Sequence, residues 1–454
     1  YRVYDRSELG IADPFACIVD EMSEVRKEGS QEKLLGDLQL RTYRLAVATT
    51  GEYSSFHIGL EGAGLAPEEE QIAVVMSAVT TAITRVNAVL ENDLAISMEL
   101  IANNDDIVYL NPATDPYSNN SGSAMLGENQ ENLDNVIGTA NYDIGHVFST
   151  GGGGVATLGS SCVASQKARG VTGSSNPIGE SFYFDLVAHE FGHQLGANHT
   201  FNGDEGGCAG SNRNDLTAVE PGSGSTLMAY AGLCAPQNIQ SQSDLYFHVI
   251  SIAEIRNNLS QSRDCADMTD LVTNRNVPIA DAGPDLIIPI GTPFVLKGSG
   301  SDADDDPISY CWEQVDNEIT AVPPSGTSTG GALYRSFSPV KDANRYLPKL
   351  STLASGSLSS TWEVTPLVAR EINFILTVRD NNAEAGQSDS DDLLVTVTDA
   401  AGPFAVTSQD TEGLVLTPNS QEMVQWNVAG TTGNGINVSS VNFRLSTDGG
   451  QTFP

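Results

Sequence analysis

The sequence predicts an α/β (α+β) domain with a mixed, twisted sheet, followed by all-β sandwich domains. Helix-like and strand-like segments are interspersed between residues 41 and 265. Beyond residue 265 helical periodicity is largely absent, and short β-prone runs alternate with turns rich in Gly, Pro and Asp. Residues 277–285, which contain two prolines, mark the boundary between the two patterns.

Hydrophobic periodicity locates the elements of the first domain. Residues 42–50 alternate and are rich in strand formers, which predicts a strand. Pro67, followed by three glutamates, opens a helix that runs to about residue 92. The same two patterns predict three further elements: strands at 94–102 and 144–148 and a helix at 243–259. Residues 103–128, rich in Asn, Asp, Pro and Ser, are expected to form a surface loop.

The composition is strongly acidic. Lys and Arg number 22 against 58 Asp and Glu, a net charge of −36, which argues against nucleic acid and anionic membranes as partners. No uninterrupted apolar run reaches the roughly 18 residues that span a bilayer, so we expect no membrane span. No signal peptide is visible, and because Tyr1 is not a natural start we expect that an upstream segment has been removed.

One segment combines metal-ligating and acid–base side chains. The sequence HEFGHQLGANH begins at His189. On a helix, His189 and His193 project from one face about one turn apart, so both imidazoles can bind one zinc ion. Gly196 can take a left-handed conformation that ends the helix and brings back His199 as a third ligand. Three protein ligands leave one tetrahedral position for water, as in a catalytic site, and Glu190 is placed to accept a proton from that water.

A second motif follows the first. A bare His-Glu-x-x-His also occurs by chance on amphipathic helices, but the extended motif uses three of the six histidines. The segment STLMAY, residues 225–230, comes next. In this order the two motifs resemble the metzincin zinc metalloproteases, over about residues 41–265. The resemblance implies bound Zn²⁺, with Met228 as an apolar floor under the histidines. It also implies that Tyr230 joins the metal or the oxyanion, and a packed core tyrosine is the alternative.

The resemblance also implies where a substrate binds. Residues 168–173 are predicted to form a short edge strand. In metzincins such a strand borders the cleft, and an extended peptide pairs with it antiparallel through main-chain hydrogen bonds. Gly170, Val171 and Thr172 are therefore the expected substrate-binding residues.

The cysteines indicate disulfides. Six are spread along the chain without a C-x-x-C pair, and four of them lie in the first domain. An even set within one domain that we expect to be secreted favours two disulfides, which we assign as Cys208–Cys234 and Cys162–Cys265. Buried free thiols are the alternative.

Residues 1–40 are predicted to be an N-terminal extension, the remnant of a propeptide, before a catalytic domain at 41–268. The segment PFACIVD around Cys17 resembles, loosely, the cysteine switch of metzincin propeptides. That resemblance implies that the Cys17 thiolate ligates zinc in a latent form. A small buried hydrophobe or an unpaired bystander is the alternative.

Residues 278–399 are predicted to form an Ig-like (PKD-like) β-sandwich, and 403–454 to begin a further, truncated β domain. The start of the first of these and its segment GSGSDADDDP resemble the immunoglobulin-like accessory domains of secreted bacterial enzymes. Asp302, Asp304 and Asp306 alternate there, so their carboxylates could converge on one Ca²⁺. A solvated acidic turn is the alternative.

Together these features predict a secreted, extracellular and monomeric zinc metalloendopeptidase that acts on protein or peptide substrates. The motif order and accessory β domains are similar to reprolysin (adamalysin)-like secreted bacterial enzymes. Thr200 departs from that group, which usually carries Asp after the third histidine, and is closer to pappalysin-type enzymes. The alternative functions are an adhesion or glycan-binding protein with a non-proteolytic metal domain, and a zinc hydrolase acting on other bonds. Glu190 argues against the former, because a purely structural zinc has no need of it.

Overall fold

The computed structural model describes most of the chain from residue 36 onward. The described residues are 17–20, 36–261, 265–409, 414–415, 417, 420–444, 446 and 448. For 17–20 only the backbone is described. The remainder of the predicted N-terminal extension lies outside these ranges.

A mixed sheet forms the centre of the N-terminal part. Its strands are β1 (Cys17–Asp20), β2 (Gln39–Thr49), β3 (Ile96–Leu100), β4 (Ile144–Ser149), β5 (Gly154–Thr157), β6 (Gly170–Gly173) and β7 (Asp267–Asp270). They lie in the order β1-β5-β6-β4-β2-β3, and β7 pairs with β2 outside this path. Neighbouring strands are parallel except for the antiparallel pairs β5–β6 and β2–β7. The predicted mixed α/β architecture is confirmed.

Helices pack against this sheet. They are α1 (Gly51–Leu60), α2 (Glu68–Leu94), α3 (Gly122–Val136), α4 (His189–Leu195) and α5 (Val249–Ser260). Short 3₁₀ turns occur at Asn104–Ile107, Thr139–Asn141 and Gly206–Cys208, and a π-helical segment, Ser181–Ala188, leads into α4. The main core is formed by α2, α4 and α5 with strands of the sheet.

Helix α2 is the longest helix in the described part of the chain. It begins after Pro67, with three glutamates in its first turn, and ends at Leu94, where Ala95 takes φ +52°. Its length and mean hydropathy of 1.6 would suffice to cross a bilayer, a test that a core helix inside a folded domain also passes. Its apolar face is buried in the core, which accounts for the composition: Val75, Val79, Ile83, Val86 and Leu90.

The sequence prediction missed helix α3. The loop predicted at 103–128 in fact ends where α3 begins, at Gly122. The helical pattern is hidden because three buried positions of α3 are polar: Asn129, Gln130 and Asn132. Asn129 donates to the carbonyl of Ala168 (2.6 Å), and the Gln130 side-chain oxygen accepts from the Ala168 N–H (2.9 Å). Tertiary hydrogen bonds therefore take the place of apolar contacts on this face.

The helix predicted at 243–259 also starts later than expected, at Val249. The preceding residues are held against the segment STLMAY: the Asp244 N–H donates to Ser225 O (2.7 Å), and the Leu227 N–H donates to Tyr246 O (3.2 Å). These contacts compete with helical hydrogen bonds, so the chain stays irregular until residue 249. Helix α1 was likewise not predicted.

The C-terminal region is β-rich, as predicted. Its elements are β8 (Ile279–Asp281), β9 (Leu286–Pro289), β10 (Phe294–Lys297), β11 (Ser299–Ser301), β12 (Ser309–Gln314), β13 (Asn344–Leu347), α6 (Leu350–Ala354), β14 (Ser359–Ser360), β15 (Glu363–Val364), β16 (Arg370–Arg379) and β17 (Ser388–Thr398). The largest sheet has the order β12-β16-β17-β9. A separate core joins these strands, with Trp312 and Phe374 among its buried residues. Farther on, β18 (Ala405–Val406) pairs with β19 (Trp426–Asn427).

A buried ion pair joins the two regions. Asp93 at the end of α2 accepts from Arg379 of β16 at 3.0 Å, and neither side chain is exposed. The other Asp93 oxygen accepts from the Phe247 N–H (2.7 Å), and Arg379 also donates to Phe247 O (3.1 Å). Two residues after Phe247, the N–H of Val249, the first residue of α5, donates to Glu313 of β12 (2.9 Å). The β-rich region therefore fixes the start of α5.

We predict that Arg379→Met destabilises the folded protein by roughly 3–5 kcal/mol, because it leaves the Asp93 carboxylate buried without its cation. Denaturant unfolding measures the change. The control is Glu180→Gln, which breaks the more exposed Arg85–Glu180 pair, with side chains 45% and 21% exposed; its expected cost is at most about 1 kcal/mol. Equal effects of the two variants would contradict the prediction.

Candidate active site

Helix α4 carries the predicted ligands on a buried segment. The helix ends at Leu195, and Gly196 takes φ +118°, in the left-handed region predicted for it. A Cβ at Gly196 would lie 2.7 Å from the Cβ of Asn258, so glycine is required by the close approach as well as by the backbone conformation. Asn258 of α5 donates to Leu195 O at 2.9 Å. Helix α5 therefore seals the end of α4.

Three imidazole nitrogens converge beyond this turn. The Nε2 atom of His193 lies 3.1 Å from Nε2 of His189 and 3.1 Å from Nε2 of His199. The Nε2 atoms of His189 and His199 lie 3.2 Å apart. The three residues are 1%, 0% and 2% exposed. The turn at Gly196 thus brings His199 to the other two ligands, as the spacing predicts.

The second nitrogen of each ring is bound by the main chain. The three Nδ1 atoms, in chain order, lie 2.7, 2.7 and 2.5 Å from the carbonyl oxygens of Leu227, Ala197 and Asn212. A carbonyl can only accept a hydrogen bond, so each Nδ1 carries the ring hydrogen and each Nε2 keeps its lone pair. The short contacts between Nε2 atoms therefore join three acceptors and are not hydrogen bonds.

Burial keeps these rings neutral. It lowers the pKa of His189 to about 4. Burial, together with the neighbouring histidines, lowers the pKa values of His193 and His199 well below the ordinary range. Tetrahedral zinc with Zn–N bonds of about 2.0–2.1 Å separates its ligand nitrogens by about 3.4 Å, close to the spacing found here. Neutral imidazoles aimed at one centre fit a zinc ion, since a cation offsets the repulsion between their lone pairs.

Two further predicted residues are neighbours of the ligands, one along the chain and one in space. Glu190 follows His189 on α4 and is 0% exposed. Tyr230 is 2% exposed, and its ring centroid lies 4.6 Å from that of His199 and 4.7 Å from that of Phe201. The tyrosine ring thus packs directly beside the third ligand.

Met228 lies under the middle of α4. It is fully buried, and a Cβ built on Gly192 would lie 2.3 Å from its sulfur. Only a residue without a side chain leaves room for the methionine at this point of the helix. Sequence reasoning overlooked Gly192, although a glycine inside a helix, which costs about 1 kcal/mol relative to alanine, is a signal of such close packing.

Another overlooked residue, Gln194, anchors α4 to the sheet. Its Oε1 lies 2.8 Å from Nδ1 of His146 on β4, and its Nε2 donates to Gly145 O at 3.0 Å. Nε2 of His146 in turn lies 2.8 Å from Thr172 Oγ1 on β6. This buried chain of hydrogen bonds holds the ligand helix against the two inner strands.

The predicted substrate strand does not lie at the edge, and this prediction is corrected. Strand β6 lies between β4 and β5, and Gly170, Val171 and Thr172 are buried. Strand β5, a short segment beside several glycines, pairs with β6 on its outer side. The sequence pattern did not indicate this strand. After β5, the Gly159 N–H donates to His193 O at 2.8 Å. The strand next to the ligand helix at this border of the domain is therefore β5, and β1 pairs with it.

The cysteines pair as predicted. Disulfides join Cys162 to Cys265 and Cys208 to Cys234. The second closes the loop that carries Asn212, whose carbonyl binds the His199 ring. The thiol of Cys17 lies outside the described residues.

The acidic turn of the β-rich region is only partly grouped. Oxygen atoms of Asp302, Asp306 and Asp380 lie within 4.8 Å of one another. Asp380 follows β16, far along the chain, so the alternating pattern gave no sign of it. Asp304 is not in this group: its carboxylate accepts from the main-chain N–H groups of residues 275 and 276, both at 2.7 Å.

Comparison with known proteins agrees with this geometry. Residues 39–259 match the family model described as Metallo-peptidase family M12B Reprolysin-like. Neither the curated proteins nor the solved structures contain a match. The matched segment runs from β2 to α5 and contains all three converging histidines. Residues 39–259 are therefore a reprolysin-like domain of metallopeptidase family M12B.

Proposed function

We propose that the protein is a secreted zinc endopeptidase that hydrolyses peptide bonds of extracellular proteins, with Glu190 as general base and acid. Zinc-dependent peptide hydrolysis follows from the family of the domain. The observation that carries the proposal is the convergence of three neutral imidazoles, on a helix in which the buried Glu190 directly follows the first ligand. The two disulfides support an extracellular location, because they persist in oxidising surroundings.

The residues of the site have distinct tasks. His189, His193 and His199 would hold the zinc ion, which would supply a Lewis acid for water and for the scissile carbonyl. The carbonyl hydrogen bonds at each Nδ1 orient the rings and increase their basicity. The Glu190 carboxylate accepts a proton from the attacking water and delivers it to the nitrogen of the leaving amine. The role of Tyr230 in stabilising the oxyanion stays a prediction, supported by its position beside His199.

We assign substrate binding to β5 in place of β6. In this mode an extended peptide pairs antiparallel with β5 through main-chain hydrogen bonds. The position of β5 next to α4 supports the assignment, since substrate on this strand runs past the three histidines.

Strand β1 supports latency. It pairs with β5 in parallel, with Cys17 opposite Gly154 and Asp20 opposite Thr157. It therefore takes the hydrogen bonds that a substrate would use and runs in the opposite direction to the substrate. We propose that residues 17–20 block the cleft in a latent form, with the Cys17 thiolate as an additional zinc ligand.

A calcium site in the β-rich region is a separate proposal. Besides the grouping of Asp302, Asp306 and Asp380, Asp302 Oδ2 is buried without a hydrogen-bond partner among the described residues. Asn274 is also fully buried: its Nδ2 donates to Asp380 at 2.7 Å, while its Oδ1 has no partner in the part of the chain that the structure describes. Oxygen atoms of this kind are the ligands that Ca²⁺ prefers.

An adhesion or glycan-binding role is the second candidate function. The β-rich region is large enough to carry one, but Glu190 beside the ligand set has no task in such a protein. The first experiment below separates the two functions.

Glu190→Gln is expected to lower kcat by about 10²- to 10⁴-fold with zinc content unchanged, because the amide keeps the shape but cannot accept the proton. Cleavage of casein or a peptide library, together with metal analysis, measures both quantities. Glu205→Gln, at an exposed glutamate after the third ligand, is the control and should retain full activity. Undiminished cleavage by the Glu190 variant, or a zinc-loaded protein inert to every peptide, would overturn the proposal.

Val19→Pro is expected to raise kcat/KM of the full chain about tenfold or more, because proline removes a main-chain donor from β1 and weakens its pairing with β5. A loss of about 1.4 kcal/mol in this pairing corresponds to a tenfold change. Cys17→Ala tests the thiolate separately, because alanine keeps the strand intact. If neither variant is more active than the starting protein, latency through residues 17–20 is wrong.

Calcium at 100 times its dissociation constant is expected to stabilise the protein by about 2.7 kcal/mol at pH 7.5. Burial raises the pKa of Asp380 to about 6, so protonation should weaken this response at pH 5. Without calcium the same group opposes folding as the pH rises through about 6, because the folded state prefers its protonated form. Thermal melts measure both effects. Asp380→Asn should abolish the response and Asp304→Asn should retain it; a response untouched by Asp380→Asn would contradict the site.

A further inference from the structure

Glu220 is a fully buried carboxylate that the mechanism above does not use. It is 0% exposed. Within the described residues, its hydrogen-bond partners are hydroxyl and amide groups and include no cation. Arg335 interacts with Glu220 electrostatically, but the donors that contact the carboxylate are neutral. A buried carboxylate is costly unless several donors surround it. Such an arrangement indicates that the position of Glu220 requires a hydrogen-bond acceptor.

The carboxylate joins two segments of the metal site. One oxygen, Oε2, accepts from the hydroxyls of Thr200 and Thr226, both at 2.6 Å. The other, Oε1, accepts from the N–H groups of Ser225 and Thr226 at 2.9 and 3.3 Å. Thr200 directly follows the third ligand, and residues 225–226 begin the turn that contains Met228.

These contacts act on the ligands through the main chain. The Thr200 N–H donates to Met228 O at 3.2 Å, and the Glu220 N–H donates to Thr200 O at 2.9 Å. The residue between Thr226 and Met228 is Leu227, whose carbonyl binds Nδ1 of His189. One carboxylate therefore holds both the segment that follows His199 and the turn that orients His189.

We propose that Glu220 is a positioning residue that presets the relative placement of His199 and the methionine turn before metal binds. The inference rests on the proposed function in naming the metal as zinc. It also accounts for Thr200, which stands where reprolysins usually carry Asp: in this chain a carboxylate reaches the Thr200 hydroxyl from position 220.

A purely structural role for Glu220 would lower stability without altering the metal site. Glu313 provides a matched comparison. It is equally buried, at 0% exposed, and accepts a main-chain N–H from Val249 at 2.9 Å. It contacts the start of α5 at the domain interface instead of the methionine turn.

The test compares Glu220→Ala, Glu220→Gln and Glu313→Gln in the full chain. Zinc affinity is measured by competition with a chelator, and ligand geometry by the visible spectrum of the Co²⁺-substituted protein. We expect Glu220→Ala to weaken zinc binding about 10- to 100-fold and to change the Co²⁺ spectrum. Glu220→Gln should be milder, because its side-chain oxygen still accepts from the two amides while the threonine hydroxyls can turn to accept from its NH₂. Glu313→Gln should lower stability only.

Hydrogen exchange in the metal-free protein gives a second readout. The Ser225 and Thr226 amides should exchange faster in Glu220→Ala, because Glu220 is their acceptor among the described residues. Their exchange should stay near the starting rate in Glu220→Gln, whose side-chain oxygen still accepts from them, and in Glu313→Gln. If Glu220→Ala does not fold, Thr226→Val removes a single donor and should show the same direction of change in zinc affinity. Unchanged zinc affinity, Co²⁺ spectrum and exchange in the folded variants would overturn the proposal.

Peptidase assays separate this inference from the proposed function. A positioning loss should lower kcat and leave KM nearly unchanged, because substrate pairing with β5 does not involve Glu220. A starting protein that binds zinc but cleaves no peptide would refute the proposed function, and the affinity and exchange measurements would still decide the role of Glu220.

Discussion

The active site depends on three hydrogen bonds from imidazole Nδ1 atoms to main-chain carbonyls. Each bond fixes the tautomer of one ring and turns the lone pair of its Nε2 toward the other two rings. Three lone pairs directed at one point repel one another unless a cation lies between them, so the surrounding fold has to hold the three acceptors in place. The acceptors come from three different segments: the turn after α4, the methionine turn and the loop closed by the Cys208–Cys234 disulfide. Much of the surrounding structure, including Gly196 and the buried carboxylate of Glu220, positions these segments.

The β-rich region belongs to this support. Asn202, near the third ligand, donates to Glu318 O at 3.1 Å, and Asn317 donates to Leu216 O at 2.8 Å. Ser225, at the start of the methionine turn, donates to Ser336 O at 3.3 Å. With the buried pair of Asp93 and Arg379, these contacts place the metal site close to the interface between two regions. The accessory region therefore has a structural task at the site, independent of any ligand it binds itself.

The proposed substrate binding and the proposed latency both involve the outer border of the sheet. An outer strand has one free row of main-chain groups, and either a substrate or another strand can pair with it. In this protein β1 pairs with β5 in the direction opposite to that expected of a substrate. This reversed direction is the observation that supports the proposed latency.

The sequence alone determined the local features of the protein. The spacing of His189, His193 and Gly196 follows from helix geometry, and the periodicity of α2 and the β pattern after residue 265 follow from local side-chain alternation. The disulfide partners were also assigned correctly from the number of cysteines and their places in the chain.

Only the tertiary structure decided the rest, because those features depend on contacts between distant segments. Strand β5, and not β6, lies on the outer side of this pair of strands. The order of strands depends on non-local pairing, and the four residues of β5, which lie beside glycines, give no visible signal of it in the sequence. The acidic group contains Asp380 instead of the predicted Asp304, because the end of β16, far along the chain, lies next to the turn that carries Asp302 and Asp306. The carbonyls that orient the histidines are main-chain atoms and carry no sequence signature at all. Glu220 resembles a surface glutamate in the sequence, and its burial among five hydrogen-bond donors appears only when the loops that surround it are folded together.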